Sequence, residues 1–143
     1  MIVDNFKLTG KLKIEVNNEV VAEVPNIVVT DGKEYVASRM KDASTTAMTH
    51  MSVGTGSTPA AASDSALGSQ ISGSRTALTS TNVSGNDIVY VATFGPGTGT
   101  GAITEAGIFN ASSSGTMLCR TVFSVVNKGS ADSMTITWTV TVS

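Results

Sequence analysis

Few residues in this chain could act as acid, base, nucleophile or metal ligand, and their spacing keeps them apart. His50 is the only histidine and Cys119 the only cysteine. A nucleophile needs a base and an orienting partner held beside it. His50 falls in a strand-like stretch beside Met48 and Met51, where a lone histidine reads as a surface or packing residue. Cys119 sits in an alternating apolar segment and reads as a small buried hydrophobe. A single cysteine also excludes an intrachain disulfide and a CxxC metal knuckle. Glu105 is the one acid in an otherwise apolar stretch, beside Gly107. It is either a functional carboxylate or the acceptor for nearby backbone amides, and the second role suits its surroundings better. There is neither a His pair nor an acidic cluster of EF-hand type to hold a metal. Two glycine-rich stretches, Val53 to Pro59 and Gly95 to Gly101, lack the lysine and the strand-to-helix context of nucleotide-binding loops. The expectation is a non-enzymatic chain without cofactor or metal.

The elements that position these residues are mostly strands. In Ser133 to Ser143, Met134, Ile136, Trp138, Val140 and Val142 alternate with four threonines. Period-two alternation over this length predicts a strand with five apolar side chains on one face, the chain's only tryptophan at its middle. Thr and Val favour the same pleated geometry. We read it as a central strand across the core. At the other end of the chain, Phe6, Leu8, Leu12, Ile14 and Val16 alternate with polar residues, interrupted by Gly10. After Asn17-Asn18, a second arm carries Val20, Ala22 and Val24. A three-residue loop, Asn17 to Glu19, would pair Val16 with Val20 and Ile14 with Ala22, keeping one buried face. The hairpin is self-contained in sequence and could project as an arm, which divides the chain into an arm (1–25) and a body (26–143).

One helix is predicted after the apolar run Ile27 to Val29. Asp31 as N-cap and Glu34 three residues on form a capping-box arrangement, with Tyr35, Val36 and Met40 on the packing face. Strands follow at Met48 to Val53, Arg75 to Val83, Asp87 to Phe94 around a Ser84-Gly85-Asn86 turn, Ala102 to Phe109 and Thr116 to Val126. A helical turn is expected after Ser63. In the strand from Thr116, Met117, Cys119, Thr121 and Phe123 share a face. Many short strands with one helix predict a mostly β fold, a β-sandwich or jelly-roll-like body.

The totals narrow the function classes. The 143 residues suit one domain, and only 14% are charged, against about 25% in an average soluble domain. A surface built from hydroxyl groups repels neighbours weakly, which suits an oligomer or larger assembly. A net charge of -2 provides no basic field for nucleic acid. No run approaches the roughly 18 apolar residues of a membrane span. The start, Met1 to Lys7, lacks the layout of a signal peptide, which implies synthesis in a cytoplasm. The two N-glycosylation patterns, at Asn82 and Asn110, then read as coincidental.

Three segments carry a resemblance: Met51 to Gly68, Ala102 to Asn110 and Met117 to Val140. Their order and spacing resemble small virion structural proteins of tailed bacteriophages, the decoration, tail-fibre or collar-like group. Gly54, Gly56, Glu105, Ala106, Gly107 and Phe109 match most closely. The resemblance implies fold-defining turn and core positions there rather than a binding site, and a β-rich module in a symmetric oligomer on the outside of a virion. With no repeats and no heptad segment, the chain suits a capsid decoration (cement) protein better than a tail-fibre or baseplate-collar component. Its expected partners are itself and the major capsid protein. Inter-subunit contacts are expected from Phe6, Leu8, Leu12, Ile14, Val16, Val20 and Val24, by strand exchange or β-augmentation. On that expectation, deleting Met1 to Val24 leaves a folded body. A third reading, a carbohydrate-binding β-sandwich, needs exposed aromatics for stacking, and Trp138 reads as core.

Overall fold

The computed structural model describes residues 6–41 and 46–143. Met1 to Asn5, the start of the expected arm and of the stretch read for a signal peptide, lie outside the described residues. The strands are β1 (Leu8–Val16), β2 (Glu19–Val28), β3 (His50–Gly54), β4 (Thr76–Ala77), β5 (Ser80–Ser84), β6 (Asp87–Phe94), β7 (Gly101–Phe109), β8 (Met117–Lys128) and β9 (Met134–Val142), with helix α1 (Thr30–Met40) after β2. They form one curled, antiparallel, nine-stranded sheet in the order β4-β3-β7-β8-β2-β1-β9-β6-β5, a mostly β half-barrel with one helix. Since β4 and β5 are consecutive, joined by Leu78 and Thr79, the chain itself ties the two ends of the sheet together. Leu78 N–H donates to Thr49 C=O on one side, and Thr79 N–H to Val91 C=O on the other. The strand expected over Arg75 to Val83 is therefore two pieces, because it changes partner between them.

β9 lies between β1 and β6, as a central strand must. Met134, Ile136 and Trp138 are wholly buried and Val140 nearly so. Trp138 does not lose its polar handle: Nε1 donates to Asn26 Oδ1 at 2.9 Å. Gly10 makes room for that acceptor. It is paired with Asn26 across the β1–β2 ladder, and a Cβ on it would lie 1.8 Å from Asn26 Oδ1. Gly10 is thus a close approach between strands, and β1 runs through it with unbroken register to β9.

The N-terminal hairpin forms, but it is not an arm. All of β1 pairs with β9, from Leu8↔Val142 to Val16↔Met134. Leu12 and Ile14 are wholly buried in the main core, and Leu8, Val16, Ala22 and Val24 pack against it. The division into an arm (1–25) and a body (26–143) therefore cuts through the middle of the sheet. Its turn also differs from the expected three-residue loop. Asn17 and Asn18 both have positive φ (50° and 68°), and Val16 pairs directly with Glu19. Two left-handed residues make the tight turn whose twist matches a hairpin. The buried face is recovered by a bulge: the register shifts between Ile14 and Glu15, so that Ile14 still faces Ala22. Val20 and Val21 are left exposed at the tip. The tip is fastened to the β8–β9 turn, with Asn17 Nδ2 donating to Asp132 Oδ1 (3.0 Å) and Ser133 N–H donating to Asn17 Oδ1 (3.0 Å).

α1 starts two residues earlier than expected. Val29 is its N-cap, with no side-chain capping bond, and Asp31 stands in the first turn. Tyr35 and Val36 pack on the core as expected, whereas Met40 is 82% exposed. Gly32 sets how close the helix comes to β8, since a Cβ there would lie 2.1 Å from Leu118 C=O. The helical turn expected after Ser63 is irregular chain, in which Asp64 Oδ2 accepts from Ala61 N–H at 2.9 Å. In β8 a register shift near Phe109 breaks strict alternation. Leu118 and Cys119 join the main core, while Met117 turns to the opposite face with Val29, Leu67 and Phe109.

Candidate functional site

Among the described residues, one buried ionic constellation stands out, built on β7 and β8 on the side of the sheet away from the main core. Ile103, Ala106 and Ile108 belong to the main core. Strict alternation would put Glu105 beside Ile103, but the ladder is irregular between them. Thr104 reaches the 55–69 loop instead, its Oγ1 donating to Gly56 C=O at 2.8 Å. Glu105, wholly buried, turns to the same loop. Its Oε1 accepts from Gly56 N–H (3.0 Å) and Ser69 N–H (2.6 Å). Its Oε2 accepts from Gly68 N–H (2.8 Å) and from Arg120 Nε (2.9 Å) and Nη2 (2.8 Å). Arg120, 2% exposed on β8, also reaches Asp64 Oδ2 (2.8 Å) and Thr58 C=O (3.1 Å). Two strands and a long loop are held at one point.

The glycines follow from that point. A Cβ on Gly54 or Gly56 would lie 2.5 Å from Glu105 Oε1. Gly107 faces Leu67, Met117 and the Phe109 ring, each 3.0–3.2 Å from where its Cβ would be. Phe109 lies under the Arg75 guanidinium, 3.6 Å from the ring centroid. Arg75 in turn donates to the carbonyls of Ala111 and Ser114 and holds the 110–115 turn. Gly54, Gly56, Glu105, Gly107 and Phe109 thus converge on one structural unit. Trp138 stands apart from them, on β9.

Burial by itself would raise the Glu105 pKa. The amides of Ser69 and Gly68, the Arg120 guanidinium and the Gly56 amide together outweigh it and hold the carboxyl below its ordinary value. A carboxyl whose folded pKa is depressed contributes stability that is complete above the unfolded value and lost as pH falls through the folded one. The urea midpoint is therefore expected to drop as pH falls through and below the ordinary Glu value of about 4.3. Glu105→Gln should flatten that dependence. Asp132, lowered by the Asn17 side chain and the Gly129 amide, should account for part of the remaining slope. An unchanged pH profile in Glu105→Gln would contradict the assignment.

Every oxygen of Glu105 is occupied by a structural donor, and Asp64, the second carboxylate of the cluster, accepts from Arg120 Nη1 and Ala61 N–H. Among the described residues no three His, Cys, Asp or Glu side chains come together as metal ligands do. His50 Nδ1 shares a hydrogen bond with Thr49 Oγ1 (2.7 Å), and burial followed by the charge of Arg75 lowers its pKa. Cys119 is wholly buried, and burial pushes its thiol pKa up, away from the reactive thiolate. No family model, curated protein or solved structure matches the chain.

Of the residues expected to make contacts between subunits, Phe6 (64% exposed) and Val20 (53%) remain accessible. Leu12 and Ile14 are in the core, and Leu8, Val16 and Val24 lie between. Trp138 is wholly buried, so it offers no platform for a sugar. Arg120, Asp64, Asn26 and Arg75 were not singled out from the sequence. For Arg120 a signal did exist: it is a lone cation in the apolar stretch Thr116 to Val126, the next strand after the one that carries the lone acid. Among the described residues no helix is long and apolar enough to cross a membrane.

Proposed function

We propose that the chain is a non-enzymatic structural protein of a tailed-phage virion, and within that class a capsid decoration protein that bridges major capsid subunits. One observation carries the reading. Of the three segments on which the resemblance rests, the first two and the start of the third stand side by side as β3 with its loop, β7 and β8, while the end of the third, β9, lies beyond β2 and β1 in the same sheet. Glu105 and Arg120 join the first to the other two. What resembles the phage proteins is therefore a way of building a compact β-body, with its buried charges engaged in holding that body together. Low surface charge supports repeated packing against neighbours. The finer description, a β-sandwich or jelly-roll-like body, belongs to the same proposal. It is supported by β2, which pairs with β1 along most of its length and then with β8 at Ile27 and Val28, passing from one half of the curl to the other. Because Leu12 and Ile14 are engaged in the core, contacts with capsid subunits fall to the exposed Phe6, Val20 and Val21.

Quantitative mass spectrometry of purified virions tests this. A copy number within a few-fold of the major capsid protein is expected. A handful of copies would assign the chain to the tail instead, and absence from the particle would overturn the virion reading altogether.

A further inference from the structure

We propose that β5 is a self-association edge, at which a second copy of this chain pairs antiparallel about a two-fold axis and extends the sheet. The inference deepens the oligomer in the reading above, but its test does not depend on capsids.

β5 ends the nine-strand order and pairs only with β6. All five of its residues, Ser80 to Ser84, are exposed. Natural edge strands are blunted with charge, proline, extreme shortness or a covering segment. From Thr76 to Asn86 there is no charged residue and no proline. Among the described residues no backbone hydrogen bond covers the outer side of β5. The opposite end of the sheet, β4, is only two residues long, so β5 is the edge that can accept a strand.

Hairpin parity says which groups are offered. β5 and β6 are joined by the two-residue turn Gly85-Asn86, which makes Ser84↔Asp87 the closing pair. In such a hairpin the closing pair is hydrogen-bonded, and bonded pairs then alternate. Ser84, Asn82 and Ser80 are directed at β6. The N–H and C=O of Thr81 and Val83 are directed outward. Thr79 N–H on Val91 C=O (2.7 Å), beside the Ser80↔Val91 pair, is the bulge that ends this ladder with the same parity.

A second copy is the occupant these groups fit. With Asn82 on the two-fold axis, Thr81 of each copy stands opposite Val83 of the other, and both pairs can exchange both of their backbone bonds. Val83 is 69% exposed although it pairs with Ile88, on the face that Tyr90 and Ala92 turn to the core. A neighbouring Thr81 methyl would cover it. Ser and Thr across a strand pair well, and no like charges meet. A five-residue edge buries less than the roughly 1,200–2,000 Å² of a stable complex, so the pairing is concentration-dependent. Repetition on a surface would strengthen it.

Sedimentation velocity of the full chain, from low micromolar to millimolar concentration, is the test. It is paired with amide exchange on the same samples. Wild type is expected to shift from monomer to dimer, with Thr81 and Val83 amides gaining protection while Ser80, Asn82 and Ser84 do not change. Thr81→Pro removes an outward donor without touching the β6 ladder, and Val83→Lys adds a like charge at an exposed site. Both should keep the wild-type melting temperature and remain monomeric. A wild type that stays monomeric throughout, or variants that dimerise as it does, overturns the proposal. Loss of virion incorporation with dimerisation intact would overturn the decoration reading and leave this one standing.

Discussion

Removal of residues 1–24 is expected to abolish folding. The truncation takes β1 from between β2 and β9 and most of β2 with it, so the sheet separates into β4-β3-β7-β8 and β9-β6-β5. Leu12 and Ile14 leave wholly buried positions, each with about 1.5–3 kcal/mol of burial. Trp138 loses Leu12, its neighbour across the ladder, and the cavity left behind adds to the transfer loss. Set against a total stability of about 5–15 kcal/mol, these losses and those of the two ladders leave no folded state. The truncated chain should show no cooperative thermal transition and poor dispersion in an amide NMR spectrum. A cooperative melt within a few degrees of full length would restore the projecting arm. Failure of such a protein to decorate a capsid would therefore say nothing about contacts between subunits. The informative changes are Val20→Lys and Phe6→Ser, at exposed sites.

The second large effect is expected at Glu105 and Arg120. Arg120→Met leaves a wholly buried carboxylate without its cation, and breaking a buried pair from one side costs about 3–5 kcal/mol. Spread over a chain of this size, that lowers the melting temperature by roughly 10–20 °C. Glu105→Leu should cost as much, because it orphans the Gly56, Gly68 and Ser69 amides and leaves the guanidinium only Asp64 and Thr58 C=O as partners. Replacing both members of a buried pair by apolar residues is frequently neutral. Here it should recover only part of the loss, because three backbone donors stay unpaired at about 1–3 kcal/mol for each buried group. Calorimetry on the two single variants and the double variant checks the cycle. Additive effects would mean that the two side chains act separately, against the geometry.

Trp138 and Glu105 were legible in the sequence to different depths. Alternation alone places Trp138 on a buried face, and burial followed. For Glu105, an acid among apolar residues is noticeable, and acceptance of backbone amides was the reading that suited it. Which amides donate to it was not visible, because Gly56, Gly68 and Ser69 lie on a loop with no periodicity. Arg120 stayed hidden because its strand was judged by the face of Cys119 rather than by the face opposite.

The sequence by itself determined the local elements: β9, the N-terminal hairpin, the helix near Asp31, and the strands that became β6 to β8. Period-two patterning, β-branched residues and turn-forming Asn and Gly act within a few residues, so they can be read without knowing what lies across the sheet. Only the tertiary structure decided where the elements go. It set β1 beside β9 and so turned an apparent arm into the centre of the fold. It moved Glu105 off the core face through an irregular ladder. It also divided residues 76–84 between two halves of one sheet. Each of these is a choice of partner far away in the chain, settled by which long-range pairing buries the most apolar surface while giving buried charges such as Glu105 their partners.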